Sequence, residues 1–535
     1  MSDPVWTRRI ADEFWSGPVT PLTFTLLGDT MAEHMVRRTL RQAGLVDLAD
    51  LPVLSLHASH VYVNGSLLTA VVNLLPPILR TDGLLQLVPP PLHARLEPTS
   101  ILAATAQTAT MALRFLRHEP AWAPWRRAAA FDRVCAAIRA RFAQPRPAFD
   151  DEPAALYAQM RTMRDELGSY LETVGWGVVF AYVFYHLLQA LCVRWAPDLK
   201  DERAALTVGL PGVASLEAAR EIAALGRDVV RHGEHGPATA TLEAILARHG
   251  HRLTGRDLSC PTWCELPDIV LDLARRAAAG PHATALAGGA DRRRAATGRI
   301  EHALGRGIAG PARVAVFRTA LAAAQRYYVV RENMRYYADF FLARLRDLAL
   351  ALGTHLASAG RLIAADDVFF LELDELGAVV RAPIDLGARA RDRRETLDRD
   401  SATPPPVVLG PRPRSAHASC ASPETARPVL SGESAAPGRC RGPARVVQGP
   451  VDFARFAPGD VLVAAYTDPA WTPILELAAG LVLDAGGQLS HGAIVARELG
   501  IPALVNVAGA TRTLRDGDIV EIDTATGMVR VVDGT

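Results

Sequence analysis

The sequence predicts two units of different class: a large, mainly α-helical domain over residues 1–400 and a small α/β domain over 432–535, joined by a Pro-rich flexible linker at 401–431. Three observations carry this. Long Ala/Leu/Arg-rich stretches with apolar residues three and four apart fill the first part. Short apolar runs with turn residues between them fill the last part. Between them, PPPVVLGPRPRSAHASCASPETARP has no periodicity, and its prolines favour a semi-rigid, extended tether.

The helical pattern is clearest at 101–117, 213–231, 241–249, 268–279 and 312–352, and a strand-like run, HVYVNGSLL, lies at 60–68. No internal repeat is visible. The stretch VGWGVVFAYVFYHLLQALCV (174–193) has the length to span a bilayer. It contains His186 and Gln189 and has no topogenic flank, so a buried core helix is the better reading, with His186 a core or pocket residue. In the small domain, ARVVQG, DVLVAAY, GLVLDAG, PALVNV, DIVEID and MVRVV read as strands, and WTPILELAA and HGAIVAREL as helices.

Composition narrows the function. The 535 residues suffice for about three or four domains. A net charge of +1 argues against a nucleic-acid scaffold. Lys200 is the only lysine, so a phosphate site here must use Arg, His or backbone N–H groups. Six scattered cysteines and an N-terminus, MSDPVWTRR, without an apolar signal region suit a reducing, cytoplasmic setting. Cys260 and Cys264 form a CxxxC near His249 and His251, which falls short of a well-spaced zinc ligand set. No membrane or nucleic-acid partner is expected, and no metal bound by this chain.

The stretch GGQLSHGAIVARELGIPALV (486–505) places a histidine at a helix mouth. Gly486 and Gly487 allow a sharp turn and close approach of N–H groups to a ligand. His491 opens the helix, where free N–H groups and a partial positive charge favour phosphate. Ser490 can cap that helix or donate to a phosphate oxygen. Histidine is a competent covalent nucleophile. The same residues also fit a capped surface helix with an incidental histidine.

The block GDVLVAAYTDPAWTPILELAAGLVLDAGGQLSHGAIVARELGIPALVNV (459–507) closely resembles the phosphohistidine swivelling domain of phosphoenolpyruvate synthase, pyruvate phosphate dikinase and rifampicin phosphotransferase. GESAAPGRCRGPARVV (432–447) resembles the segment that leads into that domain. The resemblance implies a β/β/α swivelling domain, with His491 as the phosphorylated residue and Gly486, Gly487 and Gly492 beside the phosphate. Many relatives carry Glu where this chain has Asp484. In the large domain, VTPLT (19–23), VYVN (61–64), RHGHR (248–252), RENMR (331–335) and DDVFFLELDEL (366–376) resemble the substrate-binding domain of rifampicin phosphotransferase-like proteins, with Asp257 near an acidic position of that family. Full-length members begin with an ATP-grasp domain, and the synthase and dikinase end in a phosphoenolpyruvate-binding barrel. The reading here is of a chain without either, in which a separate ATP-grasp subunit supplies the nucleotide site, with ATP and Mg2+.

Other candidates gather around that reading. Arg331 and Arg335, four apart on a helix, can clamp a phosphate or form a solvated charged face, with Glu332 and Asp339 as pairing neighbours. His251, or His249, can deprotonate an acceptor hydroxyl or simply answer a helix dipole. Asp366 and Asp367 are as well explained by a turn as by magnesium. The leading expectation is a phosphotransferase component: His491 is phosphorylated from ATP and passes the group to a hydroxyl of an apolar small molecule near Tyr182, Phe184, Tyr327 and Tyr336. A second is phosphorylation-driven dehydration or condensation in natural-product biosynthesis, as in prodigiosin-type ligation. A third is a non-catalytic phosphohistidine carrier or regulatory protein.

Overall fold

A computed structural model describes residues 4–15, 17–75, 80, 85, 88–96, 123–143, 152–233, 236–279, 288–403, 405–410, 428–467, 471–488 and 490–533. The helix expected at 101–117, much of the Pro-rich stretch and residues 468–470 of TDPAWTP lie outside the described residues.

The first unit is built on two long helices. Taken in chain order, its main helices are α1 (Ala123–Phe142), α2 (Pro153–Trp195), α3 (Ala214–His232), α4 (Pro237–His249), α5 (Pro267–Ala279), α6 (Gly289–Leu304), α7 (Gly310–Ser358) and α8 (Gly387–Ala402). α2 and α7 pack along each other, with Phe180 and Phe184 of α2 at 5.2 and 5.6 Å from the Tyr327 ring of α7. α2 is long and apolar enough to cross a membrane by length and composition. Of its apolar window 44% is buried: Phe180, Leu188 and Cys192 lie in the helical core, and Val179 and Val193 are exposed.

The run 60–68 is not one strand. β3 (His60–Asn64) pairs with β2 (Leu54–His57), and a helix, Gly65–Leu74, starts at once. Asn64 is the reason: its side-chain oxygen accepts from Ser66 N (3.0 Å) and Leu67 N (3.1 Å), capping that helix. The stretch 401–431 is also more structured than its composition suggests. α8 runs to Ala402, and β4 (Val408–Leu409) pairs with β1 (Trp6–Thr7) in the sheet order β2-β3-β1-β4. β5 (Val429–Ser431) already belongs to the second sheet. Backbone pairing that the side-chain pattern does not signal takes up both ends of the stretch.

The second unit is one sheet of order β5-β12-β11-β7-β8-β9-β10-β6, comprising β6 (Glu433–Ala436), β7 (Arg439–Val446), β8 (Val461–Ala464), β9 (Gly480–Leu483), β10 (Ala503–Val505), β11 (Ile519–Asp523) and β12 (Met528–Val531). β7, β8, β9 and β10 run parallel. β8, β9 and β10 are buried along their whole length, which is why they read as continuous apolar runs. One helix, α9 (His491–Leu499), follows β9. A single apolar cluster joins the two units, with Ile222, Trp263 and Tyr328 of the first meeting Trp471, Ile474 and Ile494 of the second.

Candidate functional site

His491 lies just beyond the C-terminal end of β9, the edge of a parallel sheet where ligands gather. Asp484 closes the strand, its carboxylate accepting from Thr511 N and Thr511 Oγ1. Gly486 then takes φ +139°, a conformation L side chains rarely adopt, and a Cβ there would sit 3.1 Å from Ser490 Oγ. Gly487 has open space where its Cβ would be. Ser490 occupies the N-cap position of α9 in extended conformation, but its side chain makes no cap bond, so of the two roles its type allowed the capping one is not taken up. Its hydroxyl is buried and has no hydrogen-bond partner among the described residues. Gly492 is a close-approach residue: a Cβ would meet Thr467 Oγ1 at 2.5 Å and Leu483 Cδ1 at 2.9 Å.

The His491 ring is 3% exposed and held from two sides. Nε2 is 3.1 Å from Thr472 Oγ1, within its own unit. Nδ1 is 3.9 Å from Glu332 Oε2 of α7, an ion-pair separation too long for a hydrogen bond. Arg331 pairs with the other Glu332 oxygen at 3.0 Å. Burial pushes the Glu332 carboxyl up, but His491, Arg331 and Arg335 outweigh it and hold the carboxyl below its ordinary range. The carboxylate facing Nδ1 favours a proton there. That leaves the Nε2 lone pair free to accept from the Thr472 hydroxyl. Two guanidinium charges against one carboxylate leave the site cationic, which suits an incoming phosphoryl group.

Arg331 and Arg335 are both buried, so neither forms a solvated face. Arg331 lies over the Tyr182 ring at 5.8 Å and Arg335 over Phe14 at 4.6 Å. Arg335 also borders an apolar chamber of about 30 Å³ lined by Phe14, Met31, Met35, Met334 and Leu342. The helix on its N-terminal side carries π-helical turns at Phe24–Gly28 and Met31–Arg37, a distortion common at functional sites.

His251 and His249 gather around Tyr336, one turn beyond Glu332. The His251 ring stacks on Phe340, and its Nε2 lies 3.3 Å from the Tyr336 carbonyl. Tyr336 Oη donates to the Arg248 carbonyl (3.0 Å) and so accepts from His249 Nδ1 (2.7 Å). Burial, with Arg252, Arg248 and Arg139 nearby, pushes the His249 imidazole down to about 4, which keeps it neutral. Asp257 is a structural clamp: it accepts from Thr20 N (2.7 Å), Thr20 Oγ1 (2.9 Å) and Ser259 N (2.8 Å), tying the loop after His251 to the VTPLT segment. Asp367 accepts from Ala364 N (2.9 Å) and pairs with Arg394 (2.7 Å), a helix-capping role. Among the described residues, no group of three or more His, Cys, Asp or Glu comes together as a metal site.

Sequence reasoning passed over the residues that hold the His491 loop in place. Arg497 donates to the Gln488 carbonyl (2.5 Å) and the Ala435 carbonyl (3.0 Å), bracing the loop before His491. Glu498 is fully buried, and both of its oxygens accept from Gly209 N of the helical unit (2.9 and 2.8 Å). Arg292 of α6 donates to the Glu498 carbonyl (2.5 Å). A charged pair on an otherwise apolar, fully buried helix was the available signal. Thr472 sits in the quoted TDPAWTP segment, and Glu332 was noted only as a pairing neighbour.

Residues 174–332 match the rifampicin phosphotransferase fourth domain, and residues 456–527 match the mobile domain of PEP-utilising enzymes. A rifampicin phosphotransferase from Streptomyces sviceus is 29% identical over 304 residues, covering 55% of this chain and 34% of that protein. A chondramide synthase from Chondromyces crocatus is 34% identical over 317 residues, covering 55% of this chain and 8% of that protein. A prodigiosin synthesizing transferase from Serratia marcescens is 40% identical over 147 residues, covering 27% of this chain and 16% of that protein. The chain thus spans about a third or less of the length of these relatives. Glu332 closes the segment that is similar to the rifampicin phosphotransferase fourth domain, and His491 falls within the segment that is similar to the mobile domain of PEP-utilising enzymes.

Proposed function

We propose that the chain is a phosphotransferase component in which His491 carries a phosphoryl group between a nucleotide site and an acceptor held by the helical unit. The supporting observation is the His491 ring set between Thr472 and Glu332, with Arg331 and Arg335 beside them. Nε2 attacks the β-phosphoryl group of ATP, presented with Mg2+ by a separate ATP-grasp subunit. A P–N bond forms, AMP leaves, and the γ-phosphate is released to water as inorganic phosphate. The small domain then docks as described. An acceptor hydroxyl attacks phosphorus, the P–N bond breaks, and the hydroxyl proton passes to a base, for which His251 is the candidate. Arg331 and Arg335 hold the transferring group, since phosphoryl transfer depends on positioning and charge neutralisation. The acceptor is an apolar small molecule with a hydroxyl, entering the chamber beside Arg335. That chamber holds about one water in this arrangement, and its methionines are the side chains best able to repack around a guest.

A second reading has a specific support. Two relatives are named for making natural products, a chondramide synthase and a prodigiosin synthesizing transferase. In that reading phosphate leaves again, and the product is dehydrated or condensed. The test of the shared step is labelling with β-phosphate-labelled ATP and Mg2+, with and without an ATP-grasp protein, on the natural chain and on His491→Ala. Acid-labile, base-stable label that requires both the partner and His491 is expected. Label retained by His491→Ala would sink the carrier assignment.

A further inference from the structure

A second cavity, of about 680 Å³, lies between the two units on the far side of the Gln488 brace. Its floor is α2 and the short helix Lys200–Ala205, and its roof is the β6–β7 turn and the β11–β12 turn. Along α2 it is displaced from the Arg335 chamber by roughly 16 Å, the rise from Val174 to Tyr185. The volume suits a small-molecule ligand.

Besides His186 and Asp201, three polar side chains line it from the helical unit. Tyr185 and Gln189 are four apart on α2 and therefore share a face, and Arg203 stands opposite on the short helix. Tyr185 is 8% exposed, and Gln189 and Arg203 are half-buried. Among the described residues, no hydrogen bond or ion pair engages any of the three. None of the three is sealed from the cavity, so all three present polar atoms to its open volume, where a ligand can engage them.

The charges on the wall specify its chemistry. Arg439 is answered by Asp523 at 2.7 Å. Asp201 is exposed at the rim, and two positions along a helix it does not face Arg203. The remaining open charge is the Arg203 guanidinium, a fork that fits a carboxylate or phosphate through two parallel hydrogen bonds. We propose that this cavity is a binding site for a small molecule bearing one such oxyanion, with Arg203 as its anchor and Tyr185 and Gln189 hydrogen-bonding its body. Because residues of both units line it, its ligand favours the docked arrangement. The site stands apart from the Arg335 chamber and does not depend on His491 being a carrier.

Titration of the full chain with phenyl phosphate and, separately, with benzoate tests this by calorimetry and distinguishes the two oxyanions. At least one probe is expected to bind saturably at millimolar concentration or below, with affinity falling at least tenfold in Arg203→Ala and measurably in Gln189→Leu. The exposed control Arg306→Ala should bind as the natural chain does. Absence of saturable binding by both probes, or equal binding by Arg203→Ala, overturns the proposal.

Discussion

Glu332 and Tyr336 stand one turn apart on α7, the first facing the His491 ring of the small domain and the second bonded to His249 of the large one. Side chains four apart on a helix have Cβ atoms about 5–6 Å from each other. His491 and the RHGHR loop are therefore both indexed on α7. When the units are docked, one rigid helix sets the spacing between the two contacts. Rigid placement of this kind is what group transfer between two sites demands, since small displacements cost rate steeply.

Glu332→Gln tests the orienting role of that carboxylate. The amide keeps the shape but removes the charge that fixes the proton on Nδ1. An opposite charge within about 4–6 Å favours the charged form by about 1–3 pKa units, so phosphorylation or transfer at His491 should slow on the order of 10- to 100-fold. The pH profile should shift as well, which a purely structural loss would not produce. A rate and profile equal to those of the natural chain would remove Glu332 from the site.

Glu498→Ala should release the small domain without unfolding it. The change leaves the buried Gly209 N–H without its acceptor, at a cost of about 1–3 kcal/mol to docking. Gly209 has φ +61°, and a Cβ there would lie 2.4 Å from the Gly289 and Ala290 backbone, so the acceptor rather than the glycine is the position to change. Small-angle scattering should report a larger radius of gyration, with unchanged circular dichroism. Unchanged scattering would mean that the apolar contact alone holds the units together.

Gly492→Ala should destabilise the small domain. The added methyl would sit 2.5 Å from Thr467 Oγ1, between that side chain and Leu483. Overpacking of this kind costs about 1–3 kcal/mol. Pairing it with Thr467→Ala should restore part of the loss, because the shorter side chain removes the nearest clash. Equal melting temperatures for the natural chain and Gly492→Ala would show that the first turn of α9 shifts freely.

The histidine loop was legible because its signals are local: a glycine turn, a helix start and a fully apolar strand before it. HGAIVAREL forms a helix over the very residues its pattern marks. The run 60–68 misled because Val61, Val63, Leu67 and Leu68 are apolar in both strand and helix, and only the Asn64 cap decides the boundary. The docking of Glu498 on Gly209 was out of reach, since a long-range bond to a backbone N–H leaves no trace in spacing. The same holds for Glu332, which meets His491 only across the contact between the two units, whereas Thr472 meets it within the small domain through the fold of that domain. Ser490 carried the right residue type for a cap, yet its hydroxyl makes no cap bond.

Stability should fall as pH rises towards 8, and Glu476 is the cause. Its carboxyl is 1% exposed, neither oxygen has a hydrogen-bond partner among the described residues, and burial pushes it up to about 8 against a weak opposing pull from Arg227. Between the ordinary value of 4.5 and about 8, the folded chain keeps this proton and the unfolded chain has lost it. Stability is therefore fully present below 4.5 and declines through that window. His249 acts in the opposite sense at lower pH: pushed down to about 4, it stays neutral in the fold while the unfolded chain gains a proton below 6.5, so acid weakens the fold there. Glu476→Gln keeps the side-chain volume and removes the titration. Melting temperatures measured from pH 4 to pH 9 should show this variant gaining on the natural chain as pH rises, with the difference closing towards pH 4. A constant offset at every pH would show that Glu476 does not titrate in the fold.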